Sequence, residues 1–216
     1  EYNPINDTWT QKANIPGGVR LIATGVSIGN KGYVGLGIDQ FPFTMKTYDD
    51  FWEYDPSLNI WTQKANFLGG PRGSAVGFSI GNKIYIGTGT DGTNGYNDFW
   101  EWDKALNVWT QKANVGGPQR NVAIGFSLNN FGYIGTGYQG TSGGLLNDFF
   151  EYNPANNIWS QKANFPGKPR AEAIAFVIGN RGFVGTGTDI PGQSSSVDMW
   201  KYIPESDTWI QVANYG

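Results

Sequence analysis

Trp-Thr-Gln-Lys-Ala-Asn fills residues 9–14, 61–66 and 109–114, Trp-Ser-Gln-Lys-Ala-Asn fills 159–164, and Trp-Ile-Gln-Val-Ala-Asn fills 209–214. The tryptophans that open these segments, Trp9, Trp61, Trp109, Trp159 and Trp209, are 52, 48, 50 and 50 residues apart. A fixed period means one supersecondary unit stacked on copies of itself, and a period near 50 is longer than that of the common helical solenoids.

Working outward from each tryptophan, the same four segments recur. A small-apolar stretch follows an arginine, as in Gly73-Ser74-Ala75-Val76-Gly77-Phe78-Ser79-Ile80, and reads as a first strand, A. The pairs Gly29-Asn30, Gly81-Asn82 and Gly179-Asn180 supply the positive φ of a tight hairpin into Lys83-Ile84-Tyr85-Ile86-Gly87-Thr88-Gly89 and its equivalents, strand B. After a loop of variable length comes Asp98-Phe99-Trp100-Glu101-Trp102-Asp103, strand C. A turn such as Asp55-Pro56-Ser57-Leu58-Asn59 then leads into the tryptophan segment, strand D.

These features resemble the kelch family: the arginine ahead of strand A, the aromatic-Ile-Gly-Thr-Gly end of strand B, the Asp-Phe-Trp-Glu run of strand C and the tryptophan of strand D. The resemblance covers essentially the whole chain, with one departure. The family's glycine pair is here split as Gly35/Gly37, Gly87/Gly89, Gly135/Gly137 and Gly185/Gly187, a variant most like secreted bacterial kelch-repeat proteins. The fold it implies is an all-β, kelch-type β-propeller in one region, 1–216. Strands C and D of a half-blade span 1–14, and complete four-stranded blades span 15–66, 67–114, 115–164 and 165–216. Propellers close with about 4 to 8 blades and an open half-blade leaves an unpaired edge, so this run is expected to belong to a larger ring, completed by further sequence or by a neighbouring copy. The chain opens on Glu1 rather than Met, and a mature or trimmed piece is expected.

Composition narrows the function. Cysteine and histidine are both absent, which removes disulfides, thiolate nucleophiles, imidazole bases and the usual zinc and copper ligands. A net charge of -3 offers no basic surface for nucleic acid, and no apolar run approaches the roughly 20 residues that span a bilayer. No catalytic residue, cofactor or metal is therefore expected. The loop Asp91-Gly92-Thr93-Asn94-Gly95-Tyr96-Asn97-Asp98 gathers oxygen donors as calcium sites do, but lacks EF-hand spacing and its bidentate glutamate.

The A–B and C–D turns are nearly constant among the units, whereas the B–C loops at 38–48, 90–97, 138–147 and 188–197 differ completely. Variation on a fixed scaffold marks a recognition surface. Its candidate ligand-binding residues are Phe41, Phe43, Tyr48, Tyr96 and Tyr138, with Asp91, Leu145 and Leu146 beside them. Arg20, Arg72, Arg120 and Arg170 are expected as a ring near the central opening; in kelch domains that bind acidic peptides such arginines contact ligand. Repetition in every unit favours instead a structural contact with Asp50, Asp98, Asp148 and Asp198. Glu53, Glu101 and Glu151 recur in strand C with Lys64, Lys112 and Lys162 in strand D, and both positions change together, to Lys201 and Val212, in the last unit. That exchange points to salt bridges rather than to a glycosidase pair.

The function expected is a secreted or cell-surface binding or display module for a protein or a polysaccharide. One alternative is a catalytic domain similar to galactose oxidase, whose copper ligands (two histidines and a cysteine-linked tyrosine) would lie outside this chain. A sialidase lacks its Ser-x-Asp-x-Gly-x-x-Trp repeat here, and a purely structural adhesin spacer is the third reading.

Overall fold

The computed structural model describes residues 1–39, 46–140, 143–190 and 194–214, and among these every regular element is a β-strand. A short hairpin comes first, β1 (Tyr2–Asn3) and β2 (Thr8–Trp9). The first sheet runs through β3 (Thr24–Ile28) and β4 (Lys31–Gly35), passes a small ladder of β5 (Ile38–Asp39) and β6 (Lys46–Thr47), and finishes with β7 (Phe51–Asp55) and β8 (Ile60–Lys64). The second holds β9 (Val76–Ile80), β10 (Lys83–Gly87), β11 (Phe99–Asp103) and β12 (Val108–Lys112); the third holds β13 (Ile124–Leu128), β14 (Phe131–Gly135), β15 (Phe149–Asn153) and β16 (Ile158–Gln161). The fourth has β17 (Ile174–Ile178), β18 (Arg181–Gly185), a ladder of β19 (Thr188–Ile190) and β20 (Ser194–Ser195), then β21 (Met199–Ile203) and β22 (Thr208–Val212). Each sheet is an antiparallel meander in sequence order.

Strand period places residues of one pairing row on one face. In the third sheet Phe126, Tyr133 and Glu151 are paired across β13, β14 and β15 and look toward the fourth sheet; Val184 and Tyr202 of the fourth look back. The hydrophobic core consequently lies between sheets. One cluster joins Tyr33 and Phe51 to Ile84 and Trp102, a second joins Phe78 and Phe99 to Ile134 and Tyr152, and the third joins Phe126 and Phe149 to Val184 and Tyr202.

Four hydrogen-bond devices repeat at these junctions. The indole N–H of Trp61, Trp109, Trp159 and Trp209 donates to the carbonyl of Ala13, Ala65, Ala113 and Ala163 in the preceding unit, at 2.9–3.0 Å. The N–H groups of those alanines donate to the side chains of Asn59, Asn107, Asn157 and Asp207. These four residues also sit at left-handed φ of 54–58° or, for Asp207, 50°, a conformation that Asn and Asp tolerate best after glycine. Gly37, Gly89 and Gly137 donate to Arg72, Arg120 and Arg170 of the following unit, 2.7–2.8 Å. Their φ values of 93–103° admit only glycine comfortably, and a side chain would run into the backbone carbonyl behind it. Last, Ser74, Val122 and Glu172 each donate to the preceding unit's residue in the same place, Ile22, Ser74 and Val122.

The first strands β3, β9, β13 and β17 touch in succession, around an opening of about 250 Å³ bordered by Ala23, Ala75, Ala123 and Ala173. The arrangement is a β-propeller-like all-β fold. β17 makes no contact with β3, so the succession does not close among the described residues.

Candidate functional site

The loops between second and third strands lie against the segments that enter each first strand. Backbone bridges join Leu21 to Ile38, Gly73 to Thr90, Asn121 to Tyr138 and Ala171 to Thr188. This end of the molecule therefore combines a repeated frame with unequal loops.

The repeated frame is built on the arginines. Arg20, Arg72, Arg120 and Arg170 grip Asp50, Asp98, Asp148 and Asp198 of their own sheets through two oxygens each, at 2.5–3.1 Å. A third donation holds the carbonyl of Leu36, Thr88, Thr136 or Thr186, the middle residue of each Gly-x-Gly. Trp52, Trp100 and Trp200 donate to the same aspartates at 2.7 Å. Burial alone would raise the carboxyls of Asp50 and Asp198, but the donated hydrogen bonds and the guanidinium charge hold both below the usual range. The guanidinium side chains of Arg72 and Arg120 are 0% exposed and those of Arg170 and Arg20 only 1% and 4%. An accessible arginine ring at the central opening is thus not what the structure forms: the charges are already paired and out of reach of a ligand.

Two loop aromatics are also placed differently from expectation. Tyr48 is 7% exposed, under the Arg20 guanidinium at 4.3 Å. Tyr96 is half-buried, with Arg72 over its ring at 3.8 Å. Both rings cover a desolvated cation, which is why aromatic residues sit at these loop positions. Phe41 and Phe43 lie outside the described residues.

The Asp91 loop is closed on itself. The Asp91 carboxylate accepts from the backbone N–H of Thr93 and Asn94, from the Asn94 amide and from the Tyr96 hydroxyl, which holds it well below its ordinary titration range. Its oxygens are spent on the turn, and no cluster of three candidate metal ligands occurs among the described residues.

Tyr138 has a different setting. With Leu145 it lines both of two adjoining hollows, of about 470 Å³ and 250 Å³, between the loops of the third and fourth sheets. Gly143, Gly144, Lys168, Pro169 and Asp189 border the larger; Asn121, Val122, Ala171, Glu172 and Thr188 border the smaller. An aromatic ring and aliphatic side chains form the apolar part, with a carboxylate, an amide and the Lys168–Asp189 pair (2.7 Å) providing polar groups. Val122 and Glu172 belong to the junction series already described, in which Ile22, Ser74, Val122 and Glu172 all hold left-handed φ of 47–58°. For β-branched Ile22 and Val122 that conformation is costly, and the junction hydrogen bonds hold it in place. The position two residues after each arginine carries Ile, Ser, Val or Glu in turn, which is the signal in the sequence that could have marked it.

The strand-C glutamates are structural in geometry. Glu53, Glu101 and Glu151 accept from the hydroxyls of Tyr33, Tyr85 and Tyr133 at 2.5–2.7 Å and pair with Lys64, Lys112 and Lys162 at 3.1–3.6 Å. Burial and the neighbouring carboxylate push all three tyrosines up beyond the ordinary phenol range.

No protein-family model matches the chain, and no curated protein matches it. Among solved structures it is similar to that of a protein called YjhT, with a TM-score of 0.76 over 94% of this chain and 67% of that one, at 17% sequence identity. Identity at this level shows a shared fold only.

Proposed function

We propose that this chain is part of a kelch-type β-propeller, exported to the cell surface or beyond, that binds a protein or polysaccharide through its loop-bearing end without catalysis. The observation that carries this reading is the groove of Tyr138, Leu145, Lys168 and Glu172, an amphipathic hollow formed by loops that differ from unit to unit on an otherwise repeated frame. The recurring carboxylates that could have served as acids or bases are engaged instead, the aspartates by arginine and the glutamates by tyrosine and lysine. A ring not closed by these four units alone is supported by the absence of contact between β17 and β3.

The test is to offer the chain to a glycan array and to a displayed peptide library, beside the double variant Tyr138→Ala/Lys168→Ala. Capture by the parent that is lost in the variant, at unchanged Tm, is expected. Equal capture by both would move the site away from the groove.

A further inference from the structure

Of the three tyrosines in the variable loops, Tyr138 alone has no cation on its ring among the described residues. The other two show what such a ring does in this protein. Arg20 lies over Tyr48 and is gripped by Asp50; Arg72 lies over Tyr96 and is gripped by Asp98. Lys46 adds a second cation to the Tyr48 ring, at 4.7 Å. Twice, then, a positive group is held by both a tyrosine face and a carboxylate, so that the ring quadrupole and a full negative charge act on it together. In the third and fourth units Phe150 and Phe165 cover Arg120 and Arg170, and the frame makes no use of the Tyr138 ring.

A carboxylate borders the same hollow. Glu172 lines the space of about 250 Å³ with Tyr138, is exposed, and forms no ion pair among the described residues. The adjoining hollow contributes Lys168 and Asp189, whose charges offset each other at 2.7 Å. Glu172 therefore gives the groove a net negative charge. Its surroundings have the same sign. In the loops 36–50, 88–98, 136–148 and 186–198 and the entering segments 15–23, 67–75, 115–123 and 165–173, the charges outside the four Arg–Asp pairs are Asp39, Asp49, Asp91, Glu172 and Asp189 against Lys46 and Lys168. Five acids to two bases is an excess of three, which equals the net charge of -3 on the whole chain. A field of this sign draws a positive ligand to the loop-bearing end and disfavours a negative one.

We propose that the groove of Tyr138 and Glu172 receives a lysine or arginine side chain of a protein partner, with its cationic head held by the ring and the carboxylate. The aliphatic stem of such a side chain packs on apolar surface, which Leu145 and Val122 provide in the same hollow. Size favours a single side chain over an oligosaccharide, since 250 Å³ falls below the about 300–1,000 Å³ of sites that enclose a whole small-molecule ligand. An acidic peptide or an anionic sugar would meet Glu172 with like charge. The proposal rests on the reading of this groove as the binding site and narrows its ligand to one class.

The experiment selects a displayed peptide library on the parent chain and on Glu172→Gln and Glu172→Lys, whose Tm should match the parent because the side chain is exposed. Peptides captured by the parent are expected to share a lysine or arginine. Binding of the best of them should weaken about three- to tenfold in Glu172→Gln, in Tyr138→Ala, and when its basic residue is replaced by glutamine. It should also weaken as ionic strength rises above about 0.1 M. Glu172→Lys should select acidic peptides in place of basic ones. Capture that is lost in Tyr138→Ala but carried by peptides without a basic residue, or by an uncharged glycan, overturns the cationic ligand and leaves the groove as the binding site. Basic peptides held equally by the parent and Glu172→Gln overturn it as well. Capture indifferent to both Tyr138 and Glu172, or no capture by the parent, overturns the groove reading together with the proposal.

Discussion

The third and fourth sheets are nearly the same object in sequence and quite different objects in energy. Both have an Arg–Asp pair, a Gly-x-Gly, and an aromatic residue at the centre of the first strand. Phe126 is buried against Gly182, whereas Phe176 stacks on Phe183 of its own sheet and otherwise meets solvent. What stabilises one unit is therefore supplied by the next, as in repeat proteins whose stability is a sum of unit and interface contributions. Interactions inside a sheet should be worth the same in both; interactions across a junction should not.

The largest effects separate these two kinds. Arg120→Met and Arg170→Met each leave a half-buried aspartate without its fully buried cation and should cost about 3–5 kcal/mol, nearly equally, in urea denaturation. Phe126→Ala should likewise cost about 3–5 kcal/mol, whereas Phe176→Ala should cost less than about 1 kcal/mol; equal losses at the two phenylalanines would erase the comparison. A smaller contrast lies in the tryptophans. Trp159→Phe removes a half-buried donor from Ala113 and should cost about 1–3 kcal/mol, while Trp9, 79% exposed, should be replaceable by phenylalanine with no measurable change. The smallest effect is acid sensitivity. Asp50 and Asp198 titrate below 3.8 in the folded state, so their contribution is complete above the unfolded value and fades as pH falls through the depressed one. Thermal scans should show Tm declining below about pH 4, and Arg170→Met should flatten that decline.

Much of this was legible before the structure. The tryptophan period located the units, and the Gly-Asn pairs located three of the hairpins; in the third unit the structure shows Asn129 and Asn130 taking positive φ together, as the tight turn between β13 and β14 requires. The exchange of Glu and Lys for Lys201 and Val212 pointed to a charge pair, and the structure adds a third member, the tyrosine that becomes Phe183. Two things were hidden. Which face of a strand meets which neighbour depends on the stacking of sheets, so nothing in the sequence marks Gly132 and Gly182 as sockets for Phe78 and Phe126. Loop aromatics look exposed in a sequence, and nothing local to Tyr48 or Tyr96 says that a buried guanidinium lies beneath the ring. Tyr138 differs from them in spacing: it directly follows Gly137 and lies ten residues before Asp148, whereas Tyr48 and Tyr96 lie two residues before Asp50 and Asp98.

The most direct test of a core that lies between sheets is amide hydrogen exchange on the intact chain, resolved over the four first strands. The account predicts slow exchange in β9 and β13, which are covered on both faces, and exchange in β17 faster by about a hundredfold. Equal protection of β13 and β17 would contradict it, because each sheet would then be stable without the neighbour that buries it.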